Sequence, residues 1–183
     1  MKVNREQFAE NRRRILDAAG ALFRAHGFES VTVADVMKAA GLTHGGFYGH
    51  FKSKDDLIVQ ALSHVFKQAD TAEADWSNYV ASYLSPGHRD NLAQGCPVAG
   101  LAAEAIRQAA EARAVMTAGI RHEIELRSRS SPDCTDRETR EAAIGSWAAM
   151  IGAVILARLV DDPKLSDEVL EGTHSWIRRK DGK

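Results

Sequence analysis

Residues 44–50 read His-Gly-Gly-Phe-Tyr-Gly-His. Two imidazoles, one phenol and three glycines within seven residues combine hydrogen-bond donors with very little steric bulk. Such a segment can approach a polar surface closely, using His44, Tyr48 and His50 as side-chain donors and the main chain at Gly45, Gly46 and Gly49. Catalytic chemistry fits it poorly. The chain has no G-x-S-x-G elbow, phosphate-binding P-loop, H-E-x-x-H or G-x-G-x-x-G. Its seven histidines and two cysteines show no metal-ligand spacing, so no metal and no cofactor is expected.

The elements around this segment explain how it would be held. Thr32 is a good N-cap, with Asp35 three residues on as its acidic partner. Val33, Val36, Met37 and Ala40 then fall on one helical face, and Gly41 stands where a helix stops in a left-handed residue. Leu42 returns to the core and Thr43 can cap a second helix. In that helix Phe47 and Phe51 lie one turn apart and must face inward. A step of about 100° per residue puts Gly45 and Gly49 farthest from the core, flanked by Gly46 and Tyr48, with His44 and His50 nearer the sides. Glycine inside a helix costs about 1 kcal/mol relative to alanine, so three of them need a reason. Close approach of the backbone to a groove supplies one; a frayed helix held by its surroundings is the alternative. Helix, glycine turn, helix is the arrangement that places its second helix in the DNA major groove. Base contacts would come from His44, Tyr48, backbone groups or Lys38.

The stretch RRRILDAAGALFRAHGFESVTVADVMKAAGLTHGGFYGHFKSKDDL, with G-x-x-x-x-x-F-Y-x-H-F-x-S-K-x-x-L from Gly41 to Leu57, resembles the N-terminal domain of the TetR/AcrR family of bacterial transcriptional regulators. The resemblance runs from about Asn11 to Ala61. It implies an all-α protein with a three-helix helix-turn-helix head at 1–52 and a helical regulatory and dimerisation body at 53–183. It also implies that Thr43, His44, Gly45, Gly46, Tyr48 and His50 approach DNA, Tyr48 and His50 mainly as phosphate contacts. Lys54 matches the family's lysine at the start of the next helix. Thr32 and Lys38 complete the candidate set. Many family members carry a larger residue where this chain has Gly49. The implied activity is that of a homodimeric repressor of double-stranded operator DNA, released by a small-molecule inducer.

Charge distribution agrees with this division: residues 1–55 sum to +3 and residues 56–183 to −4. The first helix is expected from Arg5 to His26, with Phe8, Ile15, Leu16, Ala19, Leu22 and Phe23 buried and Gly27 ending it. One of Arg12, Arg13 and Arg14 is expected to touch phosphate. Ser53, with Asp56, opens a helix running to about Ala69 that should link head to body.

Further helices are expected over Trp76–Ser85, from Pro97, over Glu111–Arg129 and Asp136–Val160, and from Leu165 or Ser166 to Arg179. Breaks are expected at Pro86-Gly87, at the polar loop His88–Gly95, at Ser130–Asp133 and at Asp161-Asp162-Pro163. The stretch Ala142–Ala157 is apolar nearly all round, so it needs cover on two sides, yet is shorter than the roughly 20 residues of a membrane span. Trp147, Ile151, Ile155 and Trp176 are therefore the candidate dimer contact. Trp76, Tyr79, Tyr83, Cys96, Met116 and Ile120 are the candidate ligand pocket, with His122, Glu123 and Glu125 as a polar edge that could also line it.

Met1–Arg14 has no apolar run of a secretory leader, and two cysteines make no disulfide framework, so a cytoplasmic protein without membrane partners is expected. Cys96, at a helix start, is either a reactive thiolate sensing electrophiles or a small buried residue. Cys134, between two aspartates, is the less reactive of the pair. An all-helical enzyme and a helical interaction module are the competing readings.

Overall fold

The computed structural model describes residues 5–69, 75–128 and 136–181. The regular elements among them are all helical. They are α1 (Arg5–His26), α2 (Val33–Ala39), a 3-10 turn at His44–Gly49, α3 (Lys54–Ala69), α4 (Trp76–Tyr83), α5 (Pro86–Asp90) and a second 3-10 turn at Leu92–Gln94. Then come α6 (Pro97–Ala105), α7 (Ala110–Ser128), α8 (Asp136–Leu159) and α9 (Pro163–Asp181). The expected Ser130–Asp133 loop and Cys134 lie outside the described residues.

The head forms where local signals are strongest. Thr32 and Asp35 make a reciprocal capping box: the Asp35 N–H donates to Thr32 Oγ1 at 3.2 Å and the Thr32 N–H donates to Asp35 Oδ2 at 2.9 Å. Gly27 and Gly41 take φ of +81° and +66°, a backbone that side chains with a Cβ rarely adopt, and so end α1 and α2. Ile15, Ala19, Phe23, Phe28, Val36, Met37, Phe47, Phe51, Leu57 and Leu62 fill the space between α1, α2, the first 3-10 turn and α3. This core continues past residue 52 through Val98, Leu101, Ala105, Ala112, Met116 and Trp147. A second core joins Val80, Tyr83 and Leu84 of α4 to Met150, Val154, Leu170 and Ile177 of α8 and α9. α7 lies so close to α3 at Gly119 that any side chain there would run into the Phe66 ring.

Several expectations need correction. Phe8 is 43% exposed rather than core, with its ring resting on the half-buried His50 imidazole. The segment 86–95 is not a break followed by a loop. Ser85 accepts the His88 N–H at 3.1 Å and Pro86 takes the first turn of α5, where its missing N–H costs nothing. Arg158 closes the other end of α5, donating to the carbonyls of His88 and Arg89 at 3.0 and 2.9 Å. Pro163 likewise opens α9 rather than merely ending α8, with the Lys164 N–H donating to Asp162 Oδ1 at 2.9 Å. α8 is long and apolar enough to cross a membrane by length and composition. One of its faces, however, is buried in protein through Ala143, Trp147, Met150, Ala153, Val154 and Ala157.

Candidate nucleic-acid interface and cavity

The segment expected as a second α-helix of the head is a six-residue 3-10 turn, His44–Gly49. Thr43 sits at its N-cap without a side-chain hydrogen bond, so the expected cap is not formed there. Three glycines explain the tighter winding: they give up the side-chain packing that holds an α-helix in register, while Phe47 alone is buried and pins the turn. Phe47 stacks on Phe51 with centroids 5.6 Å apart. Opposite that anchor, a Cβ placed on Gly45 or on Gly49 would meet no atom within 4 Å. Tyr48 is 72% exposed, its ring held edge-on by Phe47. Thr32, Lys38, Thr43, His44 and Gly46 are exposed on the same two elements, and Lys54, half-buried, opens α3.

His50 differs from the rest. Its ring stacks on Phe8 with centroids 4.2 Å apart, and its Nδ1 is buried without a partner. Burial, and then the Arg12 guanidinium, push its pKa below the ordinary histidine value, so it is a neutral packing group at pH 7. Of the three arginines on α1, Arg12 bonds Gln60 and lies 4.8 Å over the Phe51 ring, while Arg13 pairs with Glu10 and Asp17 at 2.7 and 3.0 Å. Arg14 lies against Gly41, beside the turn. Arg12 and Arg13 are thus engaged within the protein, a distinction that three consecutive cations could not make from sequence.

A cavity of about 450 Å³ opens between α1, α3, α4, α6, α7 and α8. Trp76, Tyr79, Tyr83 and Cys96 line it as expected, and so do Glu123, Arg127, Arg24, Phe66 and Trp147. Met116 and Ile120 do not: they lie on the same face of α7 as Glu123 and Arg127 but nearer its start, where they pack into the core shared with the head. His122 and Glu125 are exposed. Trp147 is 5% exposed and Ile151 packs into both cores, so neither belongs to an outer face. Ile155 and Trp176 do remain outside.

The cavity wall is polar and tightly organised. Arg127 bonds Glu123, and its guanidinium lies 3.9, 5.5 and 5.9 Å from the ring centroids of Tyr79, Trp76 and Trp147. Arg127 Nε, Trp147 Nε1 and the Tyr83 hydroxyl are each buried without an aligned hydrogen bond, although the last two have polar neighbours in the Tyr79 hydroxyl and the Cys96 thiol. Burial pushes both tyrosines well above the ordinary phenol range. His88 Nδ1 bonds the Tyr83 carbonyl at 2.6 Å and its Nε2 accepts the Cys96 N–H at 3.0 Å, which fixes a neutral tautomer. At Cys96 two effects compete. The Tyr83 hydroxyl and the N–H groups of Ala99 and Val98 favour thiolate, but burial outweighs them and pushes the thiol up.

Helical throughout its described residues, with a capped helix and glycine turn presenting a bare 3-10 segment, the molecule is a helix-turn-helix protein with a helical body. Residues 15–61 match the profile of the family described as bacterial regulatory proteins, tetR family. The match covers the head of the chain, and the chain as a whole has the fold of solved regulators of that family. The regulator AcrR of Shigella flexneri is 43% identical over 59 residues, which cover 32% of this chain and 27% of AcrR. The repressor KstR2 of Mycolicibacterium smegmatis is 36% identical over 56 residues, covering 31% and 27%. The chain thus matches about a quarter of the length of these relatives. A TetR-family regulator from Agrobacterium tumefaciens superposes over 93% of this chain and 97% of its own, with a TM-score of 0.76 at 20% identity.

Proposed function

We propose that the protein is a DNA-binding transcriptional repressor that acts as a homodimer and leaves its operator when a small molecule fills the body cavity. One observation carries the DNA reading: an exposed 3-10 segment anchored only by Phe47, with open space where the side chains of residues 45 and 49 would stand. Thr43, His44, Gly45, Gly46 and Tyr48 enter the major groove, and Thr32, Lys38, Lys54 and Arg14 hold the flanking phosphates. His50 supports the segment from behind through Phe8. The functional division falls near residue 52, with the head at 1–52 and the body at 53–183.

The second subunit docks on α8 and α9. Ile144, Gly145, Ala148, Gly152, Ile155, Leu156 and Leu159 recur at helical spacing along the outer side of α8, and Leu159 is 76% exposed. Gly172 and Trp176 continue the patch on α9. A stripe without charge over four turns is costly to leave in water, and a twofold axis lets it cover itself. The signal is read as a non-covalent ligand rather than an electrophile, since burial pushes the thiol of the half-buried Cys96 up and so disfavours its thiolate.

Selection of bound sequences from random duplex DNA tests the reading. The expected result is a palindromic site bound with an affinity that falls steeply with salt. A helical enzyme or an interaction module enriches no sequence, and recovery of none would end the proposal.

A further inference from the structure

Three of the six buried side-chain atoms without an aligned hydrogen bond among the described residues belong to residues that line the cavity: Tyr83 Oη, Arg127 Nε and Trp147 Nε1. They come from α4, α7 and α8, so no single helix accounts for their meeting. All three are donors, and two of them cannot accept. Buried donors left without an acceptor are rare in folded proteins, because each keeps its desolvation cost.

Charge points the same way. Among the described residues, Arg24 and Arg127 are permanent cations on this wall and Glu123 is its one carboxylate, while His88 is held neutral by its two hydrogen bonds. The wall therefore carries a net positive charge, and the Arg127 guanidinium already occupies the faces of the aromatic rings where a cationic guest would sit. We infer that the cavity takes a small planar carboxylate, its ring between the aromatic walls and its carboxylate on Arg127 Nε and Trp147 Nε1 with help from Tyr83 Oη. This names the chemistry of the inducer and rests on the reading of the cavity as the regulatory site.

The test uses the full chain and three probes of one shape: 2-naphthoate, 2-naphthamide and 2-naphthylmethylammonium, followed by calorimetry and tryptophan fluorescence. Naphthoate should bind at least about tenfold more tightly than the amide, and the ammonium should not bind. Trp147→Phe and Tyr83→Phe should each weaken naphthoate roughly three- to thirtyfold, and Arg127→Met should weaken it most. The Tyr79 hydroxyl and the Cys96 thiol lie beside the two deleted atoms, and the free variants should lose little Tm. Equal or tighter binding of the ammonium would overturn the inference, as would absent naphthoate binding or binding unchanged in both conservative variants. DNA binding of the free protein, measured on the same samples, separates the two readings. Failure to bind naphthoate with DNA binding intact removes the ligand class alone. Loss of DNA recognition with naphthoate binding intact removes the repressor and leaves the cavity's chemistry standing.

Discussion

Filling the bare surface at Gly45 should move protein stability and DNA affinity in opposite directions. A Cβ on Gly45 meets nothing within 4 Å, and its φ is not in the left-handed region, so alanine or leucine fits the free protein without strain. Replacing a helical glycine at such a site restricts the unfolded chain and should stabilise the fold by about 0.5–1 kcal/mol. The DNA complex should respond the other way. Main-chain contacts need donor–acceptor distances of about 3 Å, and a leucine standing between backbone and groove prevents them. A hydrogen bond to a neutral base edge contributes about 0.5–1.5 kcal/mol, so losing two costs roughly 1–3 kcal/mol, or about five- to 150-fold in Kd. Urea denaturation and fluorescence anisotropy on the selected site measure the two effects separately. Gly45→Ala should be milder in binding and similar in stability. If Gly45→Leu binds DNA as the unaltered protein does, the segment does not approach the groove through its backbone. If the variant is instead destabilised, the open space in the free protein is not what the glycine preserves.

Leu156→Glu or Leu159→Glu should give monomers by sedimentation, since a twofold contact doubles each added charge; a dimer that persists in both would move the interface elsewhere. Glu104→Gln should weaken the carboxylate's 2.6 Å hold on the Phe28 N–H, lowering stability by about 1 kcal/mol and blunting ligand-driven DNA release; unchanged release would show that α6 does not transmit it. The pKa values of His88 and His50 are depressed in the folded protein, by burial first, so the stability they contribute is complete above the unfolded histidine value of about 6.5 and is lost as pH falls through their lower folded values. Urea midpoints should therefore drop between about pH 7 and 5, before the depressed carboxylates Asp17, Asp35 and Asp56 titrate, and His88→Gln should flatten part of that drop. N-ethylmaleimide should leave DNA binding of the unaltered protein intact; release that Cys96→Ser abolishes would reinstate the thiol as the sensor.

What was legible in the sequence was whatever depends on neighbours in the chain. The Thr32–Asp35 box, the left-handed Gly27 and Gly41 and the inward Phe47 and Phe51 are each decided within a few residues, and all appear in the structure. The prolines were harder. Ser85-Pro86 and Asp162-Pro163 each pair a capping residue with proline, the signature of a helix start, yet proline following a helical pattern reads equally well as its end. Which meaning applies depends on groups far away, such as Arg158 closing α5. α8 posed a deeper ambiguity: it is apolar on both sides, so periodicity cannot say that Trp147 and Ile151 face the core while Ile155 and Leu156 face out. The cavity was half visible, since the aromatic spacing of Trp76, Tyr79 and Tyr83 lies on one helix. Arg24, Arg127 and Trp147 join them only through tertiary packing.

The way these parts meet bears on how a ligand could reach the DNA surface. Three elements that support the helix-turn-helix touch the cavity directly: α1 through Arg24, α3 through Val65 and Phe66, and α6 through Cys96 and Val98. Arg24 donates from α1 to the Ala93 carbonyl at 2.7 Å, tying the head to the turn just before α6. At its other end α6 holds the head again, through Glu104 and Phe28, where α1 gives way to α2. α6 is thus fixed at one end to the cavity wall and at the other to the chain entering the DNA-binding motif. A ligand shifts the equilibrium only by its difference in affinity for the two arrangements, and a ten- to hundredfold release requires about 1.4–2.8 kcal/mol. A single charge-assisted hydrogen bond made in one arrangement and not in the other is of that size. On the proposed reading, a carboxylate captured in one arrangement alone would therefore be enough to bias the connection through α6, with no need for the body to unfold or for the head to change its own core.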